Sequence, residues 1–246
     1  MMMVITELFA AKTEDEQAQQ TGALPLFMQI TELVARQIAA GHLSPDSKLP
    51  PERDMAKDYG VAVGTLRKSL AQLTELGLIT RKQGSGNYIS RNEHAASLYS
   101  FFRLELLSGG GLPSARLLDV TRLQKPEDLP EFGSASFAHR FRRVRYLDDE
   151  AVALEEIWLD GSCADQIATD DISDSLYHFY RTRLGLWITK AEDWIGIDNP
   201  PAWYKGQIES QMGFIERFGW SNQGKKIEYS RTWYAPEKAR YVSRLK

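Results

Sequence analysis

Apolar residues recur at helical spacing in two stretches near the start of the chain. Leu26, Ile30, Leu33, Val34 and Ile38 predict a helix that opens at Pro25 and ends by Gly41. Leu66, Leu70 and Leu73 predict a second helix from Val63, with Gly77 just past its end. Between them, Leu49-Pro50-Pro51-Glu52-Arg53 opens a short helix that stops at Tyr59-Gly60. Proline suits a first helical turn, and Glu52 suits its positive end. Leu78–Lys82, a turn at Gln83-Gly84-Ser85-Gly86, and Asn87–Ser90 then predict a small hairpin. Helix, helix, tight turn, helix and β-ribbon is the winged helix-turn-helix order. Met55, Ala56, Val61, Leu66 and Leu70 are its expected internal contacts. Thr65, Arg67, Lys68 and Gln72 are left on the solvent face of the third helix. A helix of this kind fits the major groove, and its N-terminal residues reach base edges.

From about residue 99 the periodicity changes. Phe137–Tyr146 mostly alternates, Ala151–Leu159 is strand-like, and Asp148-Asp149 between them marks a turn. Asp174–Leu184 predicts a helix, and Trp187–Ile197 and Ile227–Tyr234 predict further strands. All six tryptophans lie in this half. The expectation is an α+β chain: a polar tail over 1–23, a winged helix-turn-helix over 24–92, a linker over 93–98, and an antiparallel-sheet domain with helices over 99–246. No internal repeat is visible.

Charge sharpens the division. The net charge of −3 argues against a generic polyanion binder. Residues 24–92, however, hold nine Lys/Arg against six Asp/Glu, whereas the segments on either side are acidic. Such asymmetry fits a nucleic-acid module joined to another domain. No apolar run approaches the ~20 residues of a membrane span, and the N-terminus lacks the features of a signal peptide. The single cysteine, Cys163, has no internal partner. These features lead to the expectation of a cytoplasmic protein. Cys163 receives no role.

The ordered motifs PLFMQI, IAAGHLSPDSKLPPERDMA, YGVAVGTLRKSL and LTELGLITRKQGSGNYI resemble the GntR-type winged helix of bacterial transcription regulators. The resemblance implies DNA contacts from Arg53 on the second helix and from Thr65, Arg67 and Lys68 on the recognition helix. It adds the wing residues Arg81, Lys82, Gln83, Gly84, Ser85 and Gly86. Arginine matches phosphate or guanine through its planar fork. The glycines also serve positive φ in the turn. One departure is plain. Many relatives carry Ser/Thr and then Arg after Gly-Val, and here Ala62 and Val63 stand there. Val63 donates nothing to guanine, though it fits a thymine methyl.

RFRRVRYLDDEAVALEEIWL, SLYHFYRTRLGLWITKAED and FIERFGWSNQGKKIEYSRTWY resemble the HutC branch, whose effector domain (UTRA) has a chorismate-lyase-like α/β fold. Arg143 and Arg145, two apart on a strand, face the same side. Either an anion or carboxylates such as Glu155 or Glu156 must lie between them. The resemblance sets this pair beside a pocket that takes phosphate or carboxylate groups, together with Glu155, Ser175 and Tyr177, and more weakly Glu228, Tyr229 and Tyr234. After Tyr234 the usual arginine is replaced by Ala235. With only His139 and His178 well inside this half, the rival helical, metal-binding branch fits poorly. The implied function is a dimeric repressor that leaves an inverted-repeat operator when a small anionic metabolite, such as a sugar phosphate or carboxylate, binds. No cofactor, metal or catalytic residue is expected. An enzymatic second domain and a ligand-blind architectural DNA binder remain the alternatives.

Overall fold

The computed structural model describes residues 25–39, 43–90, 103–172, 175–206 and 211–243. The expected tail (1–23), the linker (93–98) and Gly41 lie outside them. The chain divides into two compact units, Leu24–Leu104 and Glu105–Arg240, with only the chain termini added to each.

The first unit holds α1 (Leu26–Ala39), α2 (Glu52–Asp58), α3 (Val63–Glu75), β1 (Ile79–Lys82) and β2 (Gly86–Ile89). Along α1 the buried stripe is Ile30, Val34 and Ile38, with Thr31 and Ala35 beside it. Leu26 points outward instead. The Thr31 and Ser69 hydroxyls meet 3.1 Å apart where α1 crosses α3, so these two buried polar groups are paired. Glu52 and Asp54 occupy the first turn of α2 after Pro51. Gly60 turns the chain at φ +64°, and the Val61 N–H returns to the Ala56 carbonyl. At the end of α3, Gly77 takes φ +70° and the Leu78 N–H bonds the Leu73 carbonyl, the six-to-one bond of a Schellman stop. The wing pairs Ile79 with Ile89 through Lys82 with Gly86. Lys48 bridges to Tyr88 on the ribbon's other side.

The second unit is α+β, as expected. Its sheet has strands β4 (Pro113–Gln124), β5 (Phe137–Leu147), β6 (Glu150–Asp160), β7 (Ile188–Asp198), β8 (Met212–Ser221) and β9 (Lys226–Tyr234). They lie in the order β4-β5-β6-β9-β8-β7, antiparallel throughout. A short separate pair joins β3 (Leu104–Leu106) to β10 (Ala239–Tyr241). Helix α4 (Leu176–Leu184) precedes β7. Asp148 and Asp149 both take positive φ, as a two-residue hairpin between right-twisted strands requires. Strands β4 and β8 were not expected. A bulge at Leu118 breaks the alternation of β4, and two glycines interrupt that of β8.

Because side chains alternate across a sheet, the two faces differ. One face carries Val144, Leu154 and Trp233 with Trp203 and Phe214, then Trp158, Phe218 and Tyr229 with Phe132. This aromatic core accounts for most of the tryptophans. The other face carries Arg143, Arg145, Glu155, Arg217 and Glu228 in register, and α4 reaches it through Tyr177.

Candidate functional site

The DNA-facing candidates sit where the helix order put them. Arg53, Lys68, Arg81, Lys82, Gln83, Gly84 and Ser85 are exposed, and Thr65 and Gly86 are half-buried. The Arg67 Nε donates to Glu52 Oε2 across 2.6 Å, tying the first turn of α2 to α3. Arg67 therefore presents one edge of its guanidinium inward and keeps the rest in solvent. In the wing, Lys82 Nζ lies 4.3 Å from the centre of the Tyr88 ring, and the Tyr88 hydroxyl meets Ser85 Oγ at 2.8 Å. Tyr88 thus stiffens a turn whose Gly84 and Gly86 stand at φ +73° and +122°.

The effector candidates gather on one face of the second unit's sheet. Arg143 donates to Glu155 Oε2 at 2.5 Å, and Arg145 lies 3.4 Å from Glu155 Oε1. Two guanidinium groups thus flank one carboxylate, the internal pairing that the Arg-x-Arg spacing had left open. Burial opposes ionisation of Glu155, but the two arginines outweigh it and hold the carboxyl below its ordinary range. Further along the face, Tyr177 on α4 donates to Glu228 Oε1 at 2.9 Å. The Tyr180 hydroxyl also lies beside Glu228, outside good hydrogen-bond alignment. Burial pushes the Glu228 carboxyl up, more than the two tyrosines and the charges of Arg217 and Arg143 pull it down.

The sequence reading missed three members of this cluster. Arg217 on β8 makes a two-pronged bond to Asp193 on β7, at 2.6 and 2.7 Å, and interacts electrostatically with Glu155, Tyr177 and Glu228. Tyr180 lies one helical turn beyond Tyr177. The available signal was a lone arginine at an inward position of the FIERFGW alternation.

The expected residues do not all converge. Tyr229 follows Glu228 directly and so projects from the opposite face, where its ring packs on Phe132 and Phe218 and its hydroxyl bonds Glu216. Strand alternation removes it from the cluster. Ser175 is the N-cap of α4, its hydroxyl accepting the His178 N–H. Tyr234 shares the cluster's face but lies at its far end, stacked over Gly213, where a Cβ would sit 2.1 Å from the ring. Ala235 is buried, with its N–H on the Val152 carbonyl. Elsewhere, burial pushes the half-buried Cys163 thiol up to about 11. Among the described residues no trio of His, Cys, Asp and Glu is arranged to hold a metal. No helix of the described residues is long and apolar enough to cross a membrane.

Residues 26–89 match the gntR family of bacterial regulatory proteins, and residues 108–240 match the UTRA domain. The HTH-type transcriptional regulator SmoD of Agrobacterium fabrum is 52% identical over 229 residues, covering 92% of this chain and 98% of that protein. The transcriptional repressor NagR of Bacillus subtilis is 26% identical, covering 89% of this chain and 94% of its own. The mannosyl-D-glycerate transport/metabolism system repressor MngR of Escherichia coli is 28% identical, covering 85% and 91%. In fold, the second unit is similar to the ligand-binding domain of a GntR-family regulator from Bordetella bronchiseptica (TM-score 0.50, 16% identity, 59% of this chain, 98% of that one). The chain belongs to the GntR family of bacterial regulatory proteins, as a DNA-binding transcription regulator whose second half is a ligand-binding UTRA effector domain.

Proposed function

We propose that this regulator is a cytoplasmic repressor that binds an inverted-repeat operator as a homodimer and leaves it when a small anionic metabolite binds the UTRA domain. The observation that carries the reading is the gathering of three guanidinium groups on one buried face. Three guanidinium groups, Arg143, Arg145 and Arg217, face Glu155 and Asp193, while burial biases the third carboxyl, Glu228, toward its neutral form. Guanidinium groups gathered on one buried face are the donors that an anionic group would meet. Arg145 and Arg217 are the more accessible of the three, with side chains 11% and 13% exposed, and form the edge that a phosphate or carboxylate meets. Tyr177 and Glu228 supply hydroxyl and carboxyl partners for a polyol. The name of the relative MngR ties it to mannosyl-D-glycerate, a sugar derivative with a carboxylate, which agrees with this chemistry.

Release requires that the ligand bind one arrangement of the dimer better than the other. The role proposed for the cluster is binding. What supports pairing of two copies is β7, an edge strand whose Trp194, Ile195 and Ile197 are exposed.

The test is binding of the purified protein to its own promoter DNA at fixed salt, with and without a panel of sugar phosphates, sugar acids and other small acids. One compound that weakens DNA binding and is recovered unchanged supports the reading. Turnover of that compound, or site-specific DNA binding indifferent to every compound that raises the thermal midpoint, would sink it.

A further inference from the structure

Gly64 is a glycine that the fold does not require. Five glycines fall among the described residues of the DNA-binding unit: Gly60, Gly64, Gly77, Gly84 and Gly86. Four of them take positive φ, between +64° and +122°, where a side chain is strained. Gly64 does not; it is the second residue of α3 in ordinary helical conformation. A Cβ built there meets nothing within 4 Å, and the residue is exposed. After proline, glycine is the least favourable residue in a helix, because it loses the most backbone freedom on folding. The folded chain gives this glycine neither a conformational nor a packing reason.

Its surroundings point the same way. The N-cap, Ala62, makes no side-chain cap, and the first intrahelical bonds of α3 begin at the Thr65 N–H. Ala62, Val63 and Gly64 carry no hydrogen-bonding side chain, so the opening turn of the recognition helix is bare up to Thr65. This is the end of a recognition helix that meets base edges.

We propose that Gly64 is a specificity-determining residue: its missing side chain lets the first turn of α3 approach the duplex more closely than any other residue would allow. The close approach brings the backbone N–H groups of that turn, and the methyls of Val63, against the DNA. The inference rests on α3 being the recognition helix, and wild-type binding in the test below checks that premise separately.

The experiment selects a duplex from random sequences with the wild-type chain. It then compares Gly64→Ala and Gly64→Ser with wild type for thermal midpoint and for affinity to the selected duplex and to an unrelated one. The expected result is a midpoint unchanged or raised, with affinity for the selected duplex at least about tenfold weaker. A loss confined to the selected duplex assigns the approach to base edges, and an equal loss on both assigns it to phosphate. The proposal is overturned if either variant binds the selected duplex as wild type does, or if both lower the midpoint, which would give the glycine a folding role. Wild-type chain that enriches no sequence would remove the premise instead.

Discussion

Arg143 and Glu155 face each other directly across the β5–β6 ladder, joined at 2.5 Å, with side chains only 4% and 7% exposed. Breaking a buried pair leaves the survivor as an uncompensated charge, at a cost of ~3–5 kcal/mol. Arg143→Ala is therefore expected to lower the thermal midpoint by roughly 6–20 °C. Replacing all three members, as Arg143→Met and Arg145→Met with Glu155→Leu, should recover most of that loss while leaving the effector response absent. Thermal melts of Arg143→Ala and of the triple variant check this. An unchanged midpoint for Arg143→Ala would show that Arg145 alone compensates Glu155. Arg145→Ala, at the more accessible edge, is the cleaner probe of effector binding, because operator binding should survive it.

The two carboxyls on this face give opposite pH dependences. Glu155 is held below its ordinary value, so its contribution is present above the unfolded value and is lost as pH falls through the folded one. Glu228 is pushed up by burial, so the native state holds its proton longer than the unfolded chain does. Stability should then decline as pH rises from the ordinary carboxyl range through the folded value of Glu228. Glu228→Gln, neutral throughout, should flatten that decline and leave the acid limb unchanged. Denaturant titrations from about pH 2 to 8 read both limbs. A wild-type profile that keeps rising above the ordinary carboxyl range would contradict the assignment for Glu228.

On the DNA side, the 2.6 Å bond from Arg67 to Glu52 fixes one edge of an exposed guanidinium. Held in one rotamer, Arg67 presents its remaining donors in a defined direction. Glu52→Gln weakens that hold without adding bulk. Its expected effect is a smaller ratio of specific to non-specific affinity, with little change in midpoint. Arg67→Ala should cost about 1–3 kcal/mol at one operator position if it reads a base. Lys82→Ala in the wing should weaken all sequences alike and reduce the salt slope by about one. Competition binding at several salt concentrations distinguishes the three. An Arg67→Ala loss equal on every sequence would make Arg67 a phosphate contact.

The DNA-binding unit was legible because each of its elements carries its own punctuation. Pro51 and Glu52 open α2, Gly60 turns it into α3, Gly77 stops α3, and Gly84 and Gly86 turn the wing, each serving a local backbone need. The sheet was legible at β5 and β6, joined by the two-residue turn Asp148-Asp149, and at β7 and β9, whose strand-like runs stand apart from other signals. Strand β4 was hidden by its bulge, and β8 by Gly213 and Gly219, which leave room for Tyr234 and Glu228 from the neighbouring strand. Within the site, Arg143, Arg145 and Glu155 are close in sequence and could be paired by reading. Arg217 and Asp193 join them only through the strand order β6-β9-β8-β7, a non-local arrangement that no spacing in the chain displays. Tyr229 went the other way for a local reason: one step along a strand reverses the face.

Strand β7 carries the last prediction. It is an eleven-residue edge strand of the six-stranded sheet, with Trp194, Ile195 and Ile197 exposed by 55%, 53% and 71%. Long apolar edges invite pairing with another chain, and proteins ordinarily blunt them with charge or cover them. An antiparallel pairing of β7 with itself about a two-fold axis through Trp194 sets Lys190 of each copy opposite Asp198 of the other. Opposite charges then meet on the same face as the two indoles, and Ile197 falls opposite Ala191 on the other face. Such an interface is isologous, as a closed dimer requires. Ile195→Lys with Ile197→Lys should convert the protein to monomers in sedimentation experiments and leave each winged helix folded. The variant should bind a single half-site as wild-type monomer would, and should lose the added affinity that a paired site confers on two linked heads. Trp194→Cys in a Cys163→Ser background should cross-link to itself on oxidation, because residues on the axis of an antiparallel pair bring their Cα atoms within disulfide reach. A variant that remains dimeric with both lysines in place would move the interface off this strand.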